Sequence, residues 1–243
     1  MPYLSRIRLN PLRRATQRLL TNPQRVHAHV LGGLATQPVD ERALWRMERR
    51  QYACELLVLT QSRPSWAALV EEAGWPDAEG GDSLVRDYGP LLDRLALGRE
   101  FAFKVVTNPV ASVRKPEGPT PGQKVTMASE RTRGIRVGHR TAATQLVWFL
   151  SRAAGHATRW GFTVGAPDEP NVQLVARERL SFRKGDGRPP VTLDTATFEG
   201  VLRVTDVDGI RAGLLGGIGG GKAYGCGLLT LAPLNGGGHV VAG

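Results

Sequence analysis

The sequence predicts an α+β fold of two tandem units with antiparallel sheets, and three observations predict it. Short apolar–polar alternations recur between helical stretches. In the first 110 residues their order is strand, helix, two strands, helix, strand. A stretch rich in proline, glycine and basic residues then separates this half from a second with a comparable set of elements. That order is the split βαββαβ unit of ferredoxin-like, RNA-recognition-type folds, in which a four-stranded antiparallel sheet carries both helices on one face.

Residues 3–9 (YLSRIRL) alternate apolar and basic side chains, as a half-buried strand does, and Asn10-Pro11 stops them. A helix is expected over 12–20. After Asn22-Pro23 a second is expected over 24–34, where Val26, Val30 and Leu34 recur at helical spacing. Residues 43–47 and 54–61 read as a hairpin around the polar turn Glu48-Arg49-Arg50-Gln51. Helical stretches lie within 82–97, and 99–107 (REFAFKVVT) alternates cleanly until Asn108-Pro109 ends it. In the second half a helix is expected over 142–154, strands over 171–182 and 192–205 about a turn at 184–190, a helix over 207–215 and a last strand over 227–234. The expected organisation is an N-terminal unit 1–110, a basic loop or linker 111–140, a C-terminal unit 141–234 and a flexible tail 235–243.

At 243 residues and 41% hydrophobic, the chain can bury the core of one large domain or of two of about 100 residues each. Its two cysteines, Cys54 and Cys226, each sit in an apolar run and supply neither a disulfide framework nor a paired-cysteine zinc site, so a reducing cytoplasm is the natural compartment. No uninterrupted apolar run reaches about 18 residues, and neither a signal peptide nor a membrane span is expected. The formal charge of +10 favours a polyanionic partner over a small neutral one. The charge is also uneven: residues 1–39 hold six arginines and no carboxylate, whereas 61–100 hold eight carboxylates against four arginines. Of the 32 basic residues 27 are arginine, whose planar fork suits bidentate contact with phosphate and guanine.

Five histidines are present, of which His239 lies in the glycine-rich tail and His139 and His156 border a helix beside small residues. His27 and His29 remain, in the basic segment where a phosphate would approach. Histidine alone has an unperturbed pKa that lets it both donate and accept a proton near neutrality. Their i, i+2 spacing sets the two rings on different helix faces, which speaks against a metal pair. Gly216-Gly217-Ile218-Gly219-Gly220-Gly221-Lys222-Ala223 has the spacing of a phosphate-binding Walker loop. However, Ala223 stands where a hydroxyl should hold magnesium, and the segment runs from helix to strand rather than from strand to helix. An anion nest carrying Lys222 and a merely tight turn are the two readings left for it.

Several segments together resemble a known family. These are YLSRI at 3–7, NPQRVH at 22–27, FAFKVVTNP at 101–109, FEGVL at 198–202 and above all GIGGGKAYGCGLL at 217–229. In this order and over nearly the whole chain they are similar to CasE, the hairpin-cleaving subunit of the type I-E CRISPR surveillance complex Cascade. The resemblance implies two ferredoxin-like domains, a catalytic histidine matching His27, no cofactor, and metal-free cleavage of the CRISPR repeat hairpin by attack of a ribose 2′-OH. It further implies that the chain stays on the processed RNA beside the other Cascade subunits. RNA gripping falls to a basic hairpin of the second domain, here Arg177, Arg179, Arg183, Lys184 and Arg188, with Arg25, His29 and Lys222 as the other expected RNA-binding residues. Gln24 departs from the pattern, standing where some relatives have an active-site tyrosine. His29, Arg25 or a group from another segment is then the second proton-transfer group. A catalytically inactive hairpin-binding structural subunit is the competing expectation.

Overall fold

The computed structural model describes residues 1–49, 53–76, 78, 83–114, 117–118, 123–124, 127, 134–153, 160–166, 168–185 and 190–234. Arg188, His156, His239 and the tail 235–243 lie outside the described residues, as does most of 115–133.

Two antiparallel sheets repeat one strand order. In the first, β1 (Tyr3–Leu9), β2 (Leu44–Arg49), β3 (Cys54–Thr60) and β4 (Leu84–Asp87) lie as β2-β3-β1-β4. Helices α1 (Arg14–Thr21) and α2 (Pro23–Gly32) cross from β1 to β2, and α3 (Ala67–Ala73) crosses from β3 to β4. After the short α4 (Gly89–Leu92) comes β5 (Glu100–Thr107), then a ribbon of β6 (Val110–Val113) and β7 (Ile135–Gly138). The chain continues through α5 (Ala142–Ala153), β8 (Phe162–Thr163), β9 (Val172–Phe182), β10 (Val191–Val204), α6 (Val207–Gly216) and β11 (Thr230–Ala232). The second sheet runs β11-β5-β10, and β8 and β9 share the far edge of β10. Taking β8 and β9 as one interrupted strand, each sheet has the order second-third-first-fourth of a ferredoxin-like unit.

The strand at 99–107, expected to close the first unit, opens the second. β5 pairs with β10 from Ala196↔Thr107 to Arg203↔Glu100, and with β11 on its other side. The first unit is closed instead by β4, and its second crossover is α3 rather than a helix within 82–97. The physical reason is that β4 is a four-residue edge strand with Leu84 exposed, so it has no alternating apolar signature. The helical spacing of α3 was present in Trp66, Leu69, Val70 and Ala73, all buried. Both ends of the expected linker are tied down: β6 pairs with β7, and the His139 N–H donates to the Pro109 carbonyl at 2.9 Å.

The first core gathers Ile7, Leu19, Val26, Val30, Leu56, Val58 and Trp66 between sheet and helices. The second gathers Phe101, Phe103, Phe149, Phe162, Phe198 and Ile210, and it takes in Leu44 and Leu59 from the first sheet. A charged seam runs along the same junction. Arg46 on β2, only 3% exposed, donates to Glu48 Oε1 at 2.6 Å, to the Lys104 and Leu228 carbonyls at 3.1 and 2.9 Å, and to Thr230 Oγ1 at 2.9 Å. Lys104 Nζ lies 2.9 Å from both Glu48 and Glu199. Every charge in the seam therefore has a partner, which a buried charge requires. Cys54 and Cys226 are buried and free. Among the described residues no helix is long and apolar enough to cross a membrane.

Candidate active site

α2 starts where it does because Asn22 is extended and its side chain accepts from the Gln24 N–H at 3.0 Å, with Pro23 in the first helical turn. Pro23, Val26 and Val30 face the core. His27, one residue past Val26, is thereby held half-buried at the core margin. Its Nδ1 is buried with no hydrogen-bond partner among the described residues. An imidazolium needs partners for two N–H donors, so this environment favours the neutral ring. Burial lowers the pKa of His27 below the ordinary 6.5, and the Arg42 cation lowers it further.

The glycine-rich segment after α6 folds as a 3-10 turn, Lys222–Tyr224, flanked by Gly221 and Gly225 in the left-handed region. Two of its glycines are required by close approach. A Cβ on Gly217, where φ is 74°, would stand 2.7 Å from a Leu44 methyl, and one on Gly225, where φ is 83°, would stand 2.7 Å from the Trp45 ring. The loop therefore closes on the start of β2, and the 3-10 turn packs on α2. Of the two readings of this segment, close chain packing is the one its glycines serve. The packing sets the turn that carries Lys222 against α2, the helix of His27; burial lowers the pKa of the Lys222 ammonium, and Arg42 adds to the effect.

The remaining expected residues fall in two groups. Lys184, past the end of β9, has its ammonium 5.3 Å from the centre of the Tyr224 ring, and Phe182 packs against that ring at 4.9 Å. The basic hairpin of β9 and β10 is thus in contact with the turn that carries Lys222. Arg183 is exposed beside it. Arg177 is exposed but engaged, donating to Gln145 Oε1 at 3.0 Å and to the Arg140 carbonyl. Arg179 lies 3.7 Å from Asp194. Arg25 is exposed on α2. His29 faces α3, its Nδ1 3.8 Å from Glu72, on a different side of the helix from His27. Arg188 lies outside the described residues. Sequence reasoning missed Arg42, which stands beside Asp40 and Glu41 and so reads locally as a neutralised charge. Below the site, a cavity of about 250 Å³ between the two units is lined by Pro23, Val26, Trp45, Glu48, Lys104 and Tyr224 among others.

Fold and site together define a class: a protein of two tandem ferredoxin-like units with a half-buried histidine on the helix against which the second unit's glycine loop packs. The chain belongs to the CRISPR-associated protein family, whose family model matches residues 2–233. It is 29% identical over 240 residues, covering 95% of this chain and 100% of the relative, to the CRISPR-associated endoribonuclease Cse3 of Thermus thermophilus. It is 30% identical over 141 residues, 58% of this chain and 62% of the relative, to the CRISPR system Cascade subunit CasE of Escherichia coli. A solved structure of Thermus thermophilus Cse3 bound to an RNA representing a pre-cleavage complex superposes with a TM-score of 0.71 at 27% identity, over 96% of this chain and 99% of that one. The resemblance to CasE drawn from the sequence motifs is borne out.

Proposed function

We propose that this protein is a metal-independent endoribonuclease that grips the CRISPR repeat hairpin, cuts precursor CRISPR RNA at the base of the stem, and stays on the product as a subunit of a Cascade-type complex in the cytoplasm. The observation that carries this reading is a half-buried His27, its Nδ1 without a hydrogen-bond partner among the described residues, on the helix against which the 3-10 turn bearing Lys222 packs. Kinship with an endoribonuclease whose structure holds a pre-cleavage RNA supports it.

In the proposed step His27 takes the proton of the ribose 2′-OH, O2′ forms a bond to the adjacent phosphorus, and the bond from phosphorus to O5′ breaks. O5′ takes a proton from water, leaving a 2′,3′-cyclic phosphate and a 5′-OH. The nucleophile belongs to the substrate, so a base and a well-placed phosphate suffice. Proton transfer of this kind contributes about 10²–10⁴-fold, and in-line positioning supplies much of the rest. Positioning falls to Arg183, Lys184 and Lys222, with recognition of the stem resting on phosphates and on its A-form shape, because the major groove of such a stem is too deep and narrow to read.

The test is to incubate purified protein with a repeat hairpin in EDTA, alongside the same hairpin carrying 2′-deoxyribose at the cut site. Cleavage of the first and not the second is expected. Cutting of the deoxy hairpin would contradict the mechanism, and tight binding with neither RNA cut would leave a catalytically inactive hairpin-binding subunit.

A further inference from the structure

Helix α5 takes no part in the proposed cleavage step, yet it adjoins both elements of the second unit that are proposed to hold RNA. Its N-terminal end meets the basic hairpin: α5 packs on β9, Arg177 donates to Gln145 Oε1 at 3.0 Å, and Arg140 Nε lies 4.0 Å from Asp194 on β10. Its middle meets the glycine loop, where a Cβ on Gly219 would stand 3.4 Å from the Trp148 ring. Trp148 is buried and fixed in place. Its indole N–H donates to the Val110 carbonyl at 3.0 Å, and its ring stands edge-on to Trp160 with centroids 5.9 Å apart. One turn further along α5, the Arg152 guanidinium sits over this ring, 4.5 Å from its centre, with Nη1 3.5 Å from the Trp148 carbonyl. The indole covers the guanidinium on one side. Arg152 is only half-buried, and it borders a shallow hollow of about 310 Å³ lined by His139, Thr144, Val147, Trp148 and Ser151 among others. Val147 is 64% exposed there. No carboxylate lines the hollow among the described residues.

A volume of this size falls at the lower end of small-molecule sites, about 300–1,000 Å³, and suits one planar ring system. A guanidinium is a weakly hydrated, charged plane, and an aromatic ring beneath it holds that plane ready for a second ring on top. We propose that this hollow binds one unpaired nucleobase of the bound RNA, stacked on the Arg152–Trp148 pair. The proposal rests on the hairpin-binding reading and extends it from the stem to the unpaired nucleotides. Bases within a stem have both faces covered by their neighbours, whereas a base in a single strand is free to stack on a guanidinium or an aromatic ring, so the hollow selects an unpaired one. Val147 adds apolar contact. The Ser151 hydroxyl donates to the Trp148 carbonyl at 3.0 Å, which leaves its oxygen as an acceptor for a base N–H. The lack of carboxylates and the nearness of Arg140 and Arg177 suit the phosphates that flank the base.

The test uses a repeat hairpin with its unpaired flanks, carrying 2′-deoxyribose at the cut site, and the same RNA with each unpaired nucleotide made abasic in turn. Affinities are measured for wild type, R152K and R152L, with the bare stem-loop as reference. For wild type, removal of one particular base is expected to weaken binding by about 5–150-fold, the range for loss of one stacked base. R152K keeps the charge and loses the plane, and R152L covers Trp148 with neither. Both should bind the intact RNA more weakly by a similar factor, and removing that base should then cost them less than about twofold. R152K, the conservative change, keeps the test sound if R152L melts early. Wild-type sensitivity in R152K overturns the proposal, because charge alone then suffices. Equal sensitivity in all three proteins overturns it too, since the base is then held elsewhere. Wild-type binding of every RNA by both variants takes RNA out of the hollow and leaves it to a protein partner. The stem-loop separates this proposal from its parent: both variants should bind it as wild type does, and failure of wild type to bind it would sink the hairpin reading itself.

Discussion

His27 illustrates how a single side chain acquires its chemistry from its neighbours. On an open helix face it would titrate near 6.5, but Val26 draws it to the core margin, burial disfavours its cation, and Arg42 adds to the effect. Acting as a base, the neutral form is the active one, so the cleavage rate should rise with pH through a folded-state pKa below 6.5 and be flat at neutrality. A pH–rate profile on saturated enzyme checks this, and a rate that falls as pH rises through the histidine's pKa would mean that the active form is the imidazolium. His29, paired with Glu72 on α3, should be dispensable: H29A is expected to cut within a few-fold of wild type. At this scale the sequence was informative about His27, because an Asn-Pro helix start and an apolar anchor are local features. It was silent about the glycine loop closing on Leu44 and Trp45, a contact between segments far apart in the chain.

Among the elements, the hairpin of β9 and β10 and the glycine turn act as one piece through the packing of Lys184 and Phe182 on Tyr224. Replacing Arg183 and Lys184 by alanine should weaken hairpin binding and flatten its salt dependence. Each phosphate left without its cation takes about 0.7–0.9 from the slope of log K against log salt. An unchanged slope would put both side chains in solvent rather than on RNA. Long elements with a buried face were legible, among them β1, α5, the hairpin and α6, because period and breaker residues agree there. The second strand of this hairpin, with Leu193, Ala196, Phe198 and Leu202 buried, is such a case. β4 and β8 were not, being four and two residues long at sheet edges where little is buried. The mistaken partner of β5 has a different cause: a strand that alternates well says that it is half-buried but not in which sheet.

Across the whole molecule, the two ferredoxin-like units are held by a charged seam within an apolar junction. Burial opposes ionisation of Glu48, but Arg46 and Lys104 outweigh it and hold its carboxyl below the ordinary carboxylate range. A carboxylate with a depressed folded-state pKa adds stability above its unfolded value of about 4.3, and that stability is lost as pH falls through the lower folded value. E48Q leaves Arg46 buried without its charge partner and should destabilise the chain by about 3–5 kcal/mol in denaturant melts near neutral pH. The difference from wild type should shrink in acid, and a pH-independent difference would mean that the seam carries no charge coupling. The +10 charge has a consequence at this scale too. On the proposed reading the stem stays gripped after the cut, so excess hairpin should give a burst near one equivalent with the product eluting on the protein. Sustained turnover would contradict product retention and leave the nuclease reading in place.

The central claim is that His27 moves the proton and the cationic surface does the holding. The most direct measurement is single-turnover cleavage and equilibrium binding of one repeat hairpin by wild type and His27→Ala, side by side. The rate is expected to fall by about 10²–10⁴-fold, with affinity within a few-fold of wild type. Cleavage by His27→Ala at the wild-type rate would contradict the account.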